Sequence, residues 1–220
     1  MAGYSDLTDE QLRDTLEYLH DKYNTSEFIE ADPISIPHSF SDLRDQEIAR
    51  LRSYVHRTFN GEDFVDFLNS LRHICQKYGS MGEFIQDSFQ ARGSVAGCFS
   101  DLRREFFSVE HNPHCEKHLS SIDKGASCKR LNMYMRWFVR KDDRGVDFGA
   151  WERIPMSALM MPLDVHSGNM GRELGLLTRR QNDWKAVEEF TARLREFDAE
   201  DPVRYDFALF GAGIDGFLKQ

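Results

Sequence analysis

"SCKRLNMYMRWFVR", residues 127–140, is the stretch on which the reading of this 220-residue chain turns. Wound as a helix, it sets Lys129, Asn132, Arg136 and Arg140 three, four and four residues apart, on one face. Leu131, Tyr134, Met135 and Phe138 fall on the other. Cations suit the C-terminal end of a helix and oppose its macrodipole at the N-terminal end. Arg136 and Arg140 obey that rule; Lys129, in the first turn, does not. A lysine so placed is either an ordinary surface residue or an amine whose neutral form is favoured, able to act as nucleophile or phosphate ligand.

Outward from that helix, periodicity of the same kind recurs. Thr8 and Gln11 form a capping-box pattern, with Leu7 and Leu12 placed as a hydrophobic staple and Leu12, Leu16, Leu19 and Tyr23 as the apolar stripe. "EADPISIPHSF" (30–40) reads as an extended loop. Beyond the Asn60–Gly61 turn, Phe64, Phe67, Leu68, Leu71, Ile74 and Tyr78 predict a second helix, and Val95, Cys98, Phe99, Leu102 and Phe106 a third. Leu163, Met170, Leu174 and Leu177 mark a later core face, and Trp184, Val187, Phe190 and Leu194 another. Pro202 suits the first turn of a last helix carrying Phe207 and Phe210. With no strand alternation or internal repeat, the expected fold class is all-α.

Composition excludes several classes. Apolar runs fall well short of the roughly 20 residues that span a bilayer, and "MAGYSDLTDEQL" has neither the basic nor the apolar region of a secretory signal. Cys75, Cys98, Cys115 and Cys128 form no CxxC and read as reduced thiols of a cytoplasmic protein. The formal charge of −9 argues against a generic nucleic-acid binder. Between Lys124 and Arg153, however, eight Lys/Arg stand against four Asp/Glu, a basic strip able to serve a specific polyanion site.

Three constellations bear on chemistry. Asp164, in "MPLDVH", is the acid best placed to partner Lys129, and an N-cap aspartate would look the same; one carboxylate can do both. His111, His114, Cys115 and His118 cluster in a connector, but their spacing matches no standard zinc pattern, and a solvated histidine-rich loop is the expectation, with no metal. Trp137, Trp151 and Trp184 could stack on bases, although Trp137 and Trp184 sit at core-like helical spacing.

Over "KGASCKRLNMYMRWFVR", "PLDVH" and "LGLLTRRQNDWKAVEEFTARLREFDAEDPVRYDFALFGAG", the chain resembles a bacterial family of formerly unassigned function. That family is similar to the helix–hairpin–helix DNA glycosylases, and closest to the archaeal 8-oxoguanine DNA glycosylases. The resemblance implies two helical lobes, about 1–48 with 165–220 and 50–164, with residues 124–170 lining the cleft between them. It implies base-excision repair by a monomer acting on double-stranded DNA that contains a damaged base, with abasic-site lyase activity and no cofactor. Lys129 would attack C1′, and Asp164 would stabilise the developing positive charge. Asp206 and Phe210 would meet the flipped base, and Lys124, Gly125, Ser127, Arg130, Arg136 and His166 the DNA backbone; Arg136 and Arg140 would run along the DNA side or bind the loop acids Asp142 and Asp143. Base flipping fits this, because C1′ is out of reach inside a stacked duplex. The chain departs from the resemblance in its hairpin, which is not the usual glycine-rich one, and between 45–49 and 51–61, where family members carry an extra helical stretch and these flanks nearly fuse. A non-catalytic DNA-binding module and a protein-interaction domain remain as alternatives.

Overall fold

A computed structural model describes residues 8–23, 52, 55–142 and 144–216 of the chain. The predicted loop at 30–40, Leu7 of the staple, the side chains of Leu19 and Tyr23, and most of the 45–61 departure lie outside the described residues. The fold is all-α, as expected; the strand content described is a hairpin of two strands of two residues each. No helix among the described residues is long and apolar enough to cross a membrane.

The chain divides into two compact units, one drawn from Met1–Asp32 and Lys124–Gln220, the other from Pro33–Asp123. The sequence reading placed 124–164 in the middle lobe. The structure groups that segment with the terminal unit: Arg140 and Arg136 are bonded to Asp201 and Asp206, and the Gly125 carbonyl accepts from Trp184 N–H.

In the Pro33–Asp123 unit, strands β1 (Val55–His56) and β2 (Phe59–Asn60) pair antiparallel and lead into α2 (Gly61–Tyr78). Asn60 and Asp63 close a reciprocal capping box at its start, which satisfies two otherwise orphaned N–H groups. Ser80 caps α3 (Met81–Arg92) and Ser94 caps α4 (Val95–Phe106). The core takes the predicted stripe of α4 (Val95, Cys98, Phe99, Leu102, Phe106) together with Leu68 and Ile74 of α2. Helix α3, which the periodicity did not mark, adds Phe84 and Ile85. Asp101 binds Ser88, Arg92 and Arg104 and so ties α3 to α4.

In the other unit, α1 (Asp9–Tyr23) begins with the predicted capping box: Thr8 N–H donates to Gln11 Oε1 at 2.9 Å and Gln11 N–H to Thr8 Oγ1 at 3.3 Å. Four further helices follow: α5 (Lys129–Val139), α6 (Val165–Glu173), α7 (Trp184–Arg195) and α8 (Asp206–Asp215). Helix α8 packs against both α1 and α6. Its approach to α6 requires a glycine, since a Cβ at Gly213 would lie 2.7 Å from the carbonyl oxygen of His166. Leu163, Met170, Leu174 and Leu177 are buried as predicted, as are Trp184, Val187, Phe190 and Leu194. Pro202 stands in a turn ahead of α8 and is not in its first turn. No disulfide forms among the described residues.

Helix α5 inverts one expectation. Asn132, Arg136 and Arg140, the polar face, point inward beside Met135 and Val139, with Arg136 only 1% exposed. Trp137, expected in the core, is 36% exposed, whereas Trp151 is buried and stacks on Phe138 at 4.8 Å.

Candidate active site

Three backbone features of the terminal unit bring the site together. Gly125 takes φ +78°, a left-handed conformation that suits glycine, and its carbonyl accepts from Trp184 N–H at 2.9 Å. Ala126 bridges to Asp183, so the segment ahead of α5 is pinned to the start of α7. Cys128, also left-handed at φ 50°, then turns the chain into α5, which starts without a side-chain cap. Left-handed backbone at a residue other than glycine is uncommon and recurs at functional sites. Asn132, whose importance the sequence did not announce, ties its Nδ2 to Ser127 O at 3.1 Å and holds this turn from within.

Lys129 is the first residue of α5, and Asp164 is the N-cap of α6. The carboxylate does the two jobs foreseen for it. Oδ1 accepts from Ser167 N–H at 2.8 Å, while Oδ2 accepts from Lys129 Nζ at 2.8 Å. Ser167 Oγ in turn accepts from Asp164 N–H at 3.0 Å, a reciprocal cap whose D-x-x-S spacing is legible in hindsight. Asn182 Nδ2 donates to Asp164 O at 3.0 Å. Burial pushes the Asp164 carboxyl up, but the lysine and the Ser167 bonds outweigh it, and the net shift is downward. Asp164 is therefore a carboxylate at neutral pH, and the anion at the N-terminus of α6 is favoured by the helix dipole. The lysine's opposition to its own helix is answered by this partner.

Around the pair stand Phe210, whose ring centroid lies 5.8 Å from Lys129 Nζ, and His166, exposed and edge-on to Phe210 at 5.6 Å. Asp206 shares Phe210's helix face, as its spacing predicted, but its carboxylate is taken by Arg136 Nη1 at 2.6 Å and the residue is 7% exposed. Burial raises the Asp206 carboxyl, against the lowering effect of Arg136; Asp164 and Asp147 push it further up. Lys124 and Arg130 are exposed, and Gly125 and Ser127 half-buried.

Arg136 requires a correction. A DNA-backbone contact or a bond to Asp142 or Asp143 was expected of it, yet it lies inside the unit, bonded to Asp147 Oδ2 at 3.1 Å and to Asp206, with its guanidinium over the Phe207 ring at 3.9 Å. Arg140 is likewise withdrawn, binding Asp147 at 2.7 Å, Asp201 at 2.8 Å and also Asp142, the one loop acid of the expected pair that is described. A guanidinium's five donors match several carboxylates at once, and the charge compensation keeps both arginines buried. The basic strip thus loses two of its eight cations to the interior.

Taken together, these features define a mostly helical protein in which a lysine–aspartate pair joins the starts of two helices beside an aromatic ring and an exposed histidine. The chain belongs to a family described as "Protein of unknown function (DUF2400)", whose model matches residues 49–215. No curated protein and no solved structure matches it.

Proposed function

We propose that this protein is a DNA base-excision glycosylase with abasic-site lyase activity, acting on 8-oxoguanine through a Schiff base on Lys129. The observation that carries the proposal is the 2.8 Å pairing of Lys129 Nζ with the capping carboxylate of Asp164, 35 residues away in sequence. The side chain of Lys129 is 40% exposed, so a sugar can reach the amine. The resemblance to helix–hairpin–helix glycosylases assigns these same two residues to the chemistry.

The steps follow from the pairing. Lys129 passes a proton to Asp164, and its lone pair bonds C1′ as the C1′–N9 bond breaks. The bonding electrons leave with the base, which takes up a proton. Asp164, a carboxylate again once its proton passes to solvent, opposes the positive charge that develops on the sugar. Loss of an amine proton then opens the ring at C1′–O4′, with O4′ protonated, and leaves the Schiff base. Removal of a C2′ proton breaks the C3′–O bond and releases the 3′ strand. Phe210 offers a stacking surface for an extruded base. The uncapped start of α5, with exposed Lys124 and Arg130, offers donors to backbone phosphate. His166 stands on the same side, near Phe210. Asp206 would touch the base only through its small open edge.

Borohydride trapping on duplexes carrying 8-oxoguanine or an abasic site tests this. Wild type should give a covalent protein–DNA band that Lys129→Gln abolishes and Asp164→Asn reduces. Salt-dependent DNA binding with no band from any substrate would replace the reading with a non-catalytic DNA-binding module. Absence of such binding would favour a protein-interaction domain.

A further inference from the structure

The Pro33–Asp123 unit holds a second cluster, unrelated to the lysine–aspartate pair. The connector after α4 was expected to be a solvated histidine-rich loop. It is instead a 3-10 turn, Pro113–His118, with Cys115 fully buried. Asn112 caps it, accepting from His114 N–H at 2.9 Å, while Asn112 N–H donates to Asp66 at 2.9 Å. Arg103 grips the turn's far side through Glu116 O and Oε2, at 2.9 and 2.7 Å. His111 turns away, its Nδ1 2.7 Å from Val109 O. His114 and His118 turn toward a single carboxylate on α2. His114 Nδ1 stands 2.7 Å from Asp63 Oδ1, and His118 Nε2 stands 3.1 Å from Asp63 Oδ2. One ligand-type atom from each of the three side chains lies within 4.8 Å of the other two.

The partner set is the telling feature. Asp101, Asp147 and Asp206, also buried, each bind arginine. Asp63, only 1% exposed, has hydrogen bonds from Asn60 and the two histidines instead. A buried carboxylate is costly unless its partners compensate it; burial pushes the Asp63 carboxyl up, but the Asn60 bond and the two histidines outweigh it and draw it below its ordinary value. We infer that Asp63, His114 and His118 form a binding site for a divalent transition metal of zinc type, which fastens the Pro113–His118 turn to the start of α2.

The donor set suits such an ion: two imidazole nitrogens and a carboxylate, with a fourth position for water on the side of His114, whose side chain is 43% exposed. Zinc bonds of about 2.0–2.2 Å set tetrahedral ligands roughly 3.3 Å apart. The contacts at 2.7 and 3.1 Å, made to the two different oxygens of Asp63, therefore open by about 0.6 and 0.2 Å as the three ligand atoms, now within 4.8 Å of one another, gather round the ion. His118 is already oriented, edge-on to Phe59 at 4.9 Å. For His114, the ring proton must sit on Nε2 so that Nδ1 can ligate. Lys117 Nζ, now 2.5 Å from Nε2, would then swing into solvent.

The test uses the full chain, stripped with chelator and titrated with cobalt(II) and then zinc. Wild type should give the visible absorption of a low-coordinate cobalt site at one equivalent, displaced by zinc, and a zinc-dependent rise in Tm. His114→Gln and His118→Asn should each weaken zinc by about tenfold or more, while His111→Gln, outside the cluster, should not. Two results would overturn the inference: no cobalt band and no zinc-dependent Tm shift in wild type, or unchanged affinity in the His114→Gln/His118→Asn double variant. The wild-type titration decides the matter even if a variant fails to fold.

Discussion

Helix α5 carries two cation–carboxylate assemblies less than two turns apart, and they differ in every respect that matters for function. At its start, Lys129 has one acidic partner, Asp164, and keeps 40% of its side chain in solvent. Further along, Arg136 and Arg140 are sealed among Asp142, Asp147, Asp201 and Asp206. The second group has more carboxylates than guanidiniums. Consistent with that excess, burial raises the carboxyls of both Asp201 and Asp206, in each case against the lowering effect of an arginine. Such a network cannot release a member without stranding a buried charge. The Lys129 pair can separate at little cost, because water takes over. Solvent access and partner number, more than the chemistry of the groups, divide a fastening from a pair open to the proposed reaction.

The largest effect should come from breaking the sealed network. Arg136→Met removes the cation shared by Asp147 and Asp206, and should cost about 3–5 kcal/mol in urea unfolding. A loss below about 1 kcal/mol would mean that the carboxylates are already protonated and the contrast is one of geometry alone.

An intermediate case is Asp101, whose arginines are half exposed or more. Arg92 draws its carboxyl down from 3.8 to about 2, against the opposing effect of burial. Because the folded value lies below the unfolded one, the stabilisation is present above about pH 4 and is lost as pH falls to about 2. Asp101→Asn should cost about 1–2 kcal/mol at pH 7, after allowance for solvent screening. Its acid-unfolding curve should also converge on that of wild type near the lower limit.

A smaller effect separates the two jobs of Asp164. Asp164→Ala should lose about 1 kcal/mol with the N-cap. Asp164→Ser should recover most of that, because a hydroxyl also accepts from the Ser167 N–H, yet it should leave borohydride trapping as low as in the alanine variant. Recovery of both together would reduce Asp164 to a cap.

Smallest of all in stability is Lys129→Gln, expected within about 0.5 kcal/mol of wild type by thermal melting, while the covalent band disappears. A loss comparable to that of Arg136→Met would place Lys129 among the fastenings and remove the contrast.

Much of the fold was legible because its determinants are local. Capping at Thr8, apolar spacing along 95–106 and along 184–194, and the acid at 164 all act within a few residues of themselves. Helix α3 was missed although Ser80 and Gly93 bound it, since its buried residues Phe84 and Ile85 are adjacent and make no long stripe. Pro202 was assigned to a helix when it serves the turn before one, a shift of the kind that element boundaries allow.

By itself the sequence determined an all-helical chain and singled out Lys129 and Asp164, because caps, periodicity and a cation at the wrong end of a helix are written within a turn or two. The tertiary structure alone decided that the Arg136 face points inward and that Asp63 meets His114 and His118 across 51 and 55 positions. Whether a charge stays in water or is buried depends on which opposite charges the distant chain brings to it, and no local pattern records that.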